Sequence, residues 1–305
     1  LRKLFLMDNN QSKMLQALLE SVHHEPNNAE AWKQLGLYYQ SKDQYNEAKD
    51  AFEKANKLEE NNADILTGLG EVCYELGDLK KSEQYLQQAL KLNGEKANLC
   101  KSLAEIALDL HNNPDNAIKF FKRAIELNPN DEHTWLRLGY TYETEKKNGE
   151  EAIRCYEKAI EINPTYHNAY NNLGFVLETF FNEYDKAEEA YKKAIEINPA
   201  YEYALLNLGV LYHVVFQDGE KCMQCFDQLL SYHPKNAKAW HNLGIAVGKY
   251  NGDVETAHSY VEKALQYDSE YADAWQTMGM IQQHIFKNME EAEKCYANAK
   301  KYRQR

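Results

Sequence analysis

Few residues in this chain have a type and spacing that could do chemistry. Cys222-x-x-Cys225 has the spacing of a redox or zinc pair, but no second cysteine pair lies near it. Cys222 falls in a slot that other parts of the chain fill with Ala or Ser, and Cys155, Cys225 and Cys295 share another. A small hydrophobe accounts for all of them. The ten histidines form no HExxH or similar ligand spacing, and half of the 14 glycines occupy one recurring position rather than a phosphate-cradling loop. No catalytic residue, metal site or cofactor is expected. A row of amides remains. Asn172 in YNNLGFVLE, Asn207 in LLNLGVLYH and Asn242 in WHNLGIAVG are each 35 residues apart. Asparagine is a poor helix former because its amide competes with the backbone. That amide both donates and accepts, so an aligned row can bond the main chain of an extended peptide.

The elements that would align it follow from self-similarity at 34–35 residues. Trp32, Trp135, Trp240 and Trp275 share one slot with Leu66, Cys100, Tyr170 and Leu205. Four residues on stands Gly36, Gly70, Gly139, Gly174, Gly209, Gly244 or Gly279, with Ala104 the one departure. Small residues such as Ala48, Ala152 and Ala187 follow, and a second set (Ala55, Ala159, Ala194) comes seven later. Five prolines, Pro26 to Pro234, end units, because the residue before proline leaves the α region. Each unit therefore reads as two amphipathic helices, A and B, that bury both faces only by stacking. The step from the helix-A Gly or Ala to the helix-B small residue is 12 in the first two units and 13 in the other six, as in KKNGE and FNEYD. This predicts a longer inner turn and altered curvature.

The W–LG–Y–A–F–A–P series resembles the tetratricopeptide repeat (TPR) family, over nearly the whole chain. The resemblance implies an all-α, right-handed TPR α-solenoid. Eight repeats are expected at 29–62, 63–96, 97–131, 132–166, 167–201, 202–236, 237–271 and 272–305. A partial repeat would occupy 1–28, with its helix at about 9–28. The family lines its concave groove with helix A, at positions 2, 5, 6, 9, 12 and 13 of each unit.

On that register Asn172, Asn207 and Asn242 stand at position 6 with Arg137. Asn168, Tyr203 and Lys238 stand at position 2, and Asn171 and His241 at position 5. Tyr140, Phe175, Val210 and Ile245 run beside them at position 9. The row is similar to the asparagine ladder in the TPR region of O-linked N-acetylglucosamine transferase. The carboxylate clamp of TPR co-chaperones is broken. Lys33 matches its first lysine, but Leu37 and Gly68 stand where its asparagines belong. The lining of the first three repeats sets Glu30, Asp64, Glu71, Glu75, Glu105 and Asp109 against Lys33 and Lys101. A second candidate surface is an edge ridge of Phe181, Phe216 and Phe286.

A net charge of −12 over 305 residues argues against nucleic acid and membrane as partners. The six cysteines suit a reducing, intracellular and cytoplasmic setting, with cilium and nucleus as alternatives. The chain starts at Leu, so a piece of a longer protein is expected. The expected function is a non-catalytic scaffold or adaptor that binds protein or peptide segments within a larger assembly. The alternatives are the regulatory array of an enzyme such as a glycosyltransferase, or a ciliary scaffold.

Overall fold

The computed structural model describes residues 2–93 and 96–303; the ends of the expected second and eighth repeats (94–95, 304–305) lie outside the described residues. All regular structure among them is helical. The first helix, α1, runs Arg2–His24, where the spacing predicts 9–28. A and B helices then alternate: α2 Ala29–Gln40 and α3 Tyr45–Leu58, α4 Ala63–Glu75 and α5 Leu79–Asn93, α6 Ala97–Asp109 and α7 Pro114–Leu127, α8 Glu132–Thr144 and α9 Gly149–Ile162. They continue with α10 His167–Phe181 and α11 Tyr184–Ile197, α12 Glu202–Leu211 and α13 Gly219–Tyr232, α14 Ala237–Ala246 and α15 Val254–Tyr267, and α16 Ala272–His284 and α17 Met289–Arg303. The chain divides into two compact units, Leu1–Lys147 and Asn148–Arg305. Within each, B helices pack against the A helices that follow them, as α3 does on α4 and α11 on α12.

Asparagine and aspartate start many of these helices. Asn28, Asn62, Asp131 and Asn236 cap A helices, and Asn113, Asn148, Asp218 and Asp253 cap B helices, each accepting from a first-turn N–H. Five of these caps are asparagines, but Asn172, Asn207 and Asn242 lie in helix interiors, where no cap is needed.

The helix-A glycine has a steric reason. A Cβ on Gly174 would sit 2.9 Å from the Tyr191 ring, and one on Gly209 2.6 Å from Phe226. Tyr191, Phe226 and the small residues Ala187 and Cys222 are fully or almost fully buried. Hairpin packing thus rests on a large ring set over a bare backbone.

The extra residue of the longer repeats has a defined place. In the short-step repeats the turn closes by Gln44 N–H to Tyr39 O and Asp78 N–H to Cys73 O, five residues back. In the long-step ones Asn113, Glu183, Asp218 and Asn288 donate to Ala107, Leu177, Tyr212 and Gln282, six back. A left-handed residue precedes each of these donors: Asp43, Gly77, Asn112, Asn182, Gln217 and Lys287. In repeats six and seven the addition widens the end of helix A into π-helical turns, Tyr212–Phe216 and Val247–Asn251.

Candidate functional site

In the second unit, α10, α12, α14 and α16 carry the position-6 row Asn172, Asn207, Asn242 and Thr277. All four are half-buried. One step earlier in register the side chains turn inward. Asn171 is 6% exposed and His241 5% exposed, so these two predicted groove residues do not reach the open face. They join the repeats instead. Asn171 Nδ2 donates to Asn172 Oδ1 at 3.2 Å, and Asn207 Nδ2 donates to Asn171 Oδ1 at 3.1 Å. Asn171 therefore sets its neighbours' polarity: it engages the carbonyl oxygen of Asn172 and the NH2 of Asn207, leaving the NH2 of the first and the oxygen of the second for other partners.

The same step recurs further along. His241 Nε2 lies 2.8 Å from Thr277 Oγ1, and its Nδ1 lies 3.2 Å from the Tyr271 hydroxyl. Burial holds the imidazole down to about 4, against a small opposing pull from Asp273, so the ring is neutral at pH 7. In repeat six the inward slot holds Leu206, which offers no polar partner to the row.

Beside the amides runs an apolar row at position 9. Phe175 is 38% exposed, Val210 36% and Met280 50%, while Ile245 is half-buried. Tyr203 and Lys238 are exposed, and Asn168 is half-buried. Two acids on this face are occupied: Glu178 accepts from Tyr191 at 2.8 Å, and Asp273 from Arg303 at 2.9 Å.

The first unit is built differently. Arg137 makes a two-pronged bond to Glu105, with Nε to Oε1 at 2.7 Å, and its guanidinium lies 5.6 Å from the Tyr140 ring. This predicted ligand residue is thus engaged by the preceding repeat. Glu30 pairs with Lys33 and Asp64 with Lys96, each at 2.5 Å. Glu71 accepts from Gln40 at 2.9 Å, and the Tyr74 hydroxyl donates to Asp109. The excess of acid seen in the sequence is largely tied up by side chains of the unit itself. A cavity of about 440 Å³ lies among Gln40, Glu71, Tyr74, Glu75 and Arg137.

The three ridge phenylalanines sit unequally. Phe181 is exposed but lies over Gly149, Phe216 is half-buried against Tyr212, and Phe286 is exposed with an edge contact to His258. Sequence reasoning missed a trough of about 710 Å³ between α9 and α11, over Tyr170, Leu173 and Leu177. The tryptophan slot does not mark it: a trough of about 670 Å³ lies likewise beside Trp275 between α15 and α17, and Trp32, Trp135, Trp240 and Trp275 each donate Nε1–H to a carbonyl six residues back. All six cysteines are free and buried, and burial pushes Cys222 up to about 11 and Cys225 to about 12. No group of three or more His, Cys, Asp or Glu among the described residues could hold a metal ion, and no described helix is long and apolar enough to cross a membrane.

Helical hairpins of this kind, with side chains shared between successive A helices, define an all-α repeat solenoid. The family described as cytochrome c-type biogenesis protein H TPR domain matches residues 6–127, and the TPR repeat family matches 143–179 and 182–214. The chain belongs to the tetratricopeptide repeat family. TPR arrays are in general non-catalytic scaffolds for protein–protein contact. A relative from Escherichia coli O157:H7, the formate-dependent nitrite reductase complex subunit NrfG, is 28% identical over 41% of this chain and 64% of its own length. The bifunctional subunit NrfFG of Haemophilus influenzae is 33% identical over 32% of this chain and 26% of its own. The chain thus matches less than two thirds of the length of either. The C-terminal part of a TPR repeat-containing protein from Cytophaga hutchinsonii has the same fold, with a TM-score of 0.60 at 19% identity, covering 79% of this chain and 97% of that one.

Proposed function

We propose that this protein is a non-catalytic adaptor that binds extended segments of partner proteins along the A-helix face of its second unit, as a subunit of a larger assembly. The observation that carries the reading is the row Asn172, Asn207 and Asn242, held in helix interiors where asparagine is unfavourable and capping is not required. Each amide exchanges water for a main-chain bond, with a net worth of about 0.5–1.5 kcal/mol. Replacing all three by Ala should cost roughly 2–4 kcal/mol of affinity, a factor of tens to several hundred. Affinity for a verified partner, measured by calorimetry on the full chain and the triple variant, is the test. Full-strength binding by the triple variant would sink this reading.

The family match over residues 6–127 favours one setting for that role, an assembly related to cytochrome c biogenesis. The two relatives are named as subunits of a formate-dependent nitrite reductase complex, which favours a place in a multi-subunit assembly. Co-purification of the tagged chain with haem-containing partners tests the setting separately from the groove.

A further inference from the structure

The apolar row beside the asparagines has a spacing of its own. In the second unit α10 touches α12 and α14 touches α16, as the bonds from Asn207 to Asn171 and between His241 and Thr277 require. Helices in such contact lie about 8–10 Å apart. The exposed Phe175 and Val210, and the half-buried Ile245 and exposed Met280, therefore stand at about that interval within each pair. A β-strand presents same-face side chains every ~6.6 Å, which falls out of step after one helix. A polyproline II segment advances about 3.1 Å per residue and returns to the same face after three, at about 9.3 Å. That repeat matches the helix spacing. It would bring every third side chain onto one position-9 residue and every third peptide group onto one amide of the asparagine row.

Charge narrows the occupant further. Asp273 is paired with Arg303, and Glu178 keeps its charge against the neutral Tyr191 hydroxyl, while Lys238 is exposed at the register of Tyr203. Lys249 is also exposed, with a bond to the neutral Gln217. The two lysines outweigh Glu178, so the balance on this face is slightly positive.

We infer that the second unit docks a proline-rich, polyproline II segment of a partner protein, with an apolar side chain at every third position and acidic rather than basic residues between. The inference rests on the main-chain reading above and adds the side-chain periodicity and charge that the segment must have. Asn171 contributes as a positioning residue. It leaves a donor at Asn172 and an acceptor at Asn207, so the segment must offer a carbonyl at the first and an N–H at the second.

The test uses the full chain and labelled twelve-residue peptides of one composition, read by fluorescence polarisation. One peptide places Leu at every third position between Pro and Asp, one at every second position, and a third replaces Asp by Lys in the period-three frame. The period-three acidic peptide should bind at least about tenfold tighter than the period-two peptide, a difference of ~1.4 kcal/mol. The Lys version should bind more weakly than the Asp version. Val210→Asp, at an exposed position, should weaken binding by a similar factor with an unchanged thermal melt, and Phe175→Ala checks the same row without adding charge. Equal binding of the two periods, or no binding by any peptide, overturns the inference. Equal binding that is lost in the triple asparagine variant overturns the periodicity and leaves the main-chain reading standing. Period-dependent binding that survives the triple variant sustains the periodicity and removes the main-chain reading.

Discussion

The two units are built from the same kind of helical hairpin but bond their A helices to one another at different depths. In the first, position 9 sets Glu71 and Glu105 between the exposed Leu37 and Tyr140, and neighbouring repeats answer the two acids with Gln40 and Arg137. Much of that face is closed by bonds within the unit. In the second, position 9 is apolar throughout and exposed at all but Ile245, and the polar bonding retreats one register step to Asn171 and His241 beneath it. Where polar side chains join adjacent A helices, their depth decides what is left at the surface. When they sit at the surface, they consume the groove. When they sit below it, the surface is left for another molecule.

This contrast can be broken from the second unit by acid. His241 is neutral and buried, with its folded value near 4 and an unfolded value near 6.5. A base whose folded value is depressed contributes its full stability above the unfolded value and loses it as pH falls toward the folded one. Between pH 6.5 and 4 the contact of α14 with α16 should weaken by up to about 3 kcal/mol. Hydrogen exchange in those helices should accelerate over that window, and His241→Gln should remove the pH dependence. The first unit can be broken by mutation. Arg137→Ala strands the mostly buried Glu105 carboxylate and should cost about 1–3 kcal/mol, measured as a fall in the denaturant midpoint.

Smaller effects sharpen the comparison. Raising salt to ~1 M should loosen α6 and α8, through the half-exposed ion pairs of the first unit, by under about 1 kcal/mol. It should leave exchange in α14 almost unchanged. Asn242→Ala should raise stability by about 0.5 kcal/mol, because Ala is the better helix former and Leu206 gives Asn242 nothing to bond below. A stability loss for Asn242→Ala would mean that the row serves the fold rather than a ligand.

Hairpin architecture was legible because its constraints recur at fixed spacing. The bare backbone at Gly174 and Gly209, the rings of Tyr191 and Phe226 that cover it, and the small residues beside them all follow from one packing rule. The one-residue lengthening of the inner turns was also visible in sequence. Its outcome, bonds six residues back and two π-helical turns, was not, because an insertion can be absorbed by the helix end or by the loop. The row Asn172, Asn207 and Asn242 could be placed from the register alone. Which groove side chains stay available could not. Arg137 is taken by Glu105, Asn207 shares its amide with Asn171, and His241 turns inward to Thr277 and Tyr271. Those partners lie 30 to 36 residues away. Sequence fixes the slot each side chain occupies, but only the packed neighbour decides whether its polar atoms are spent inside the stack or left for a ligand.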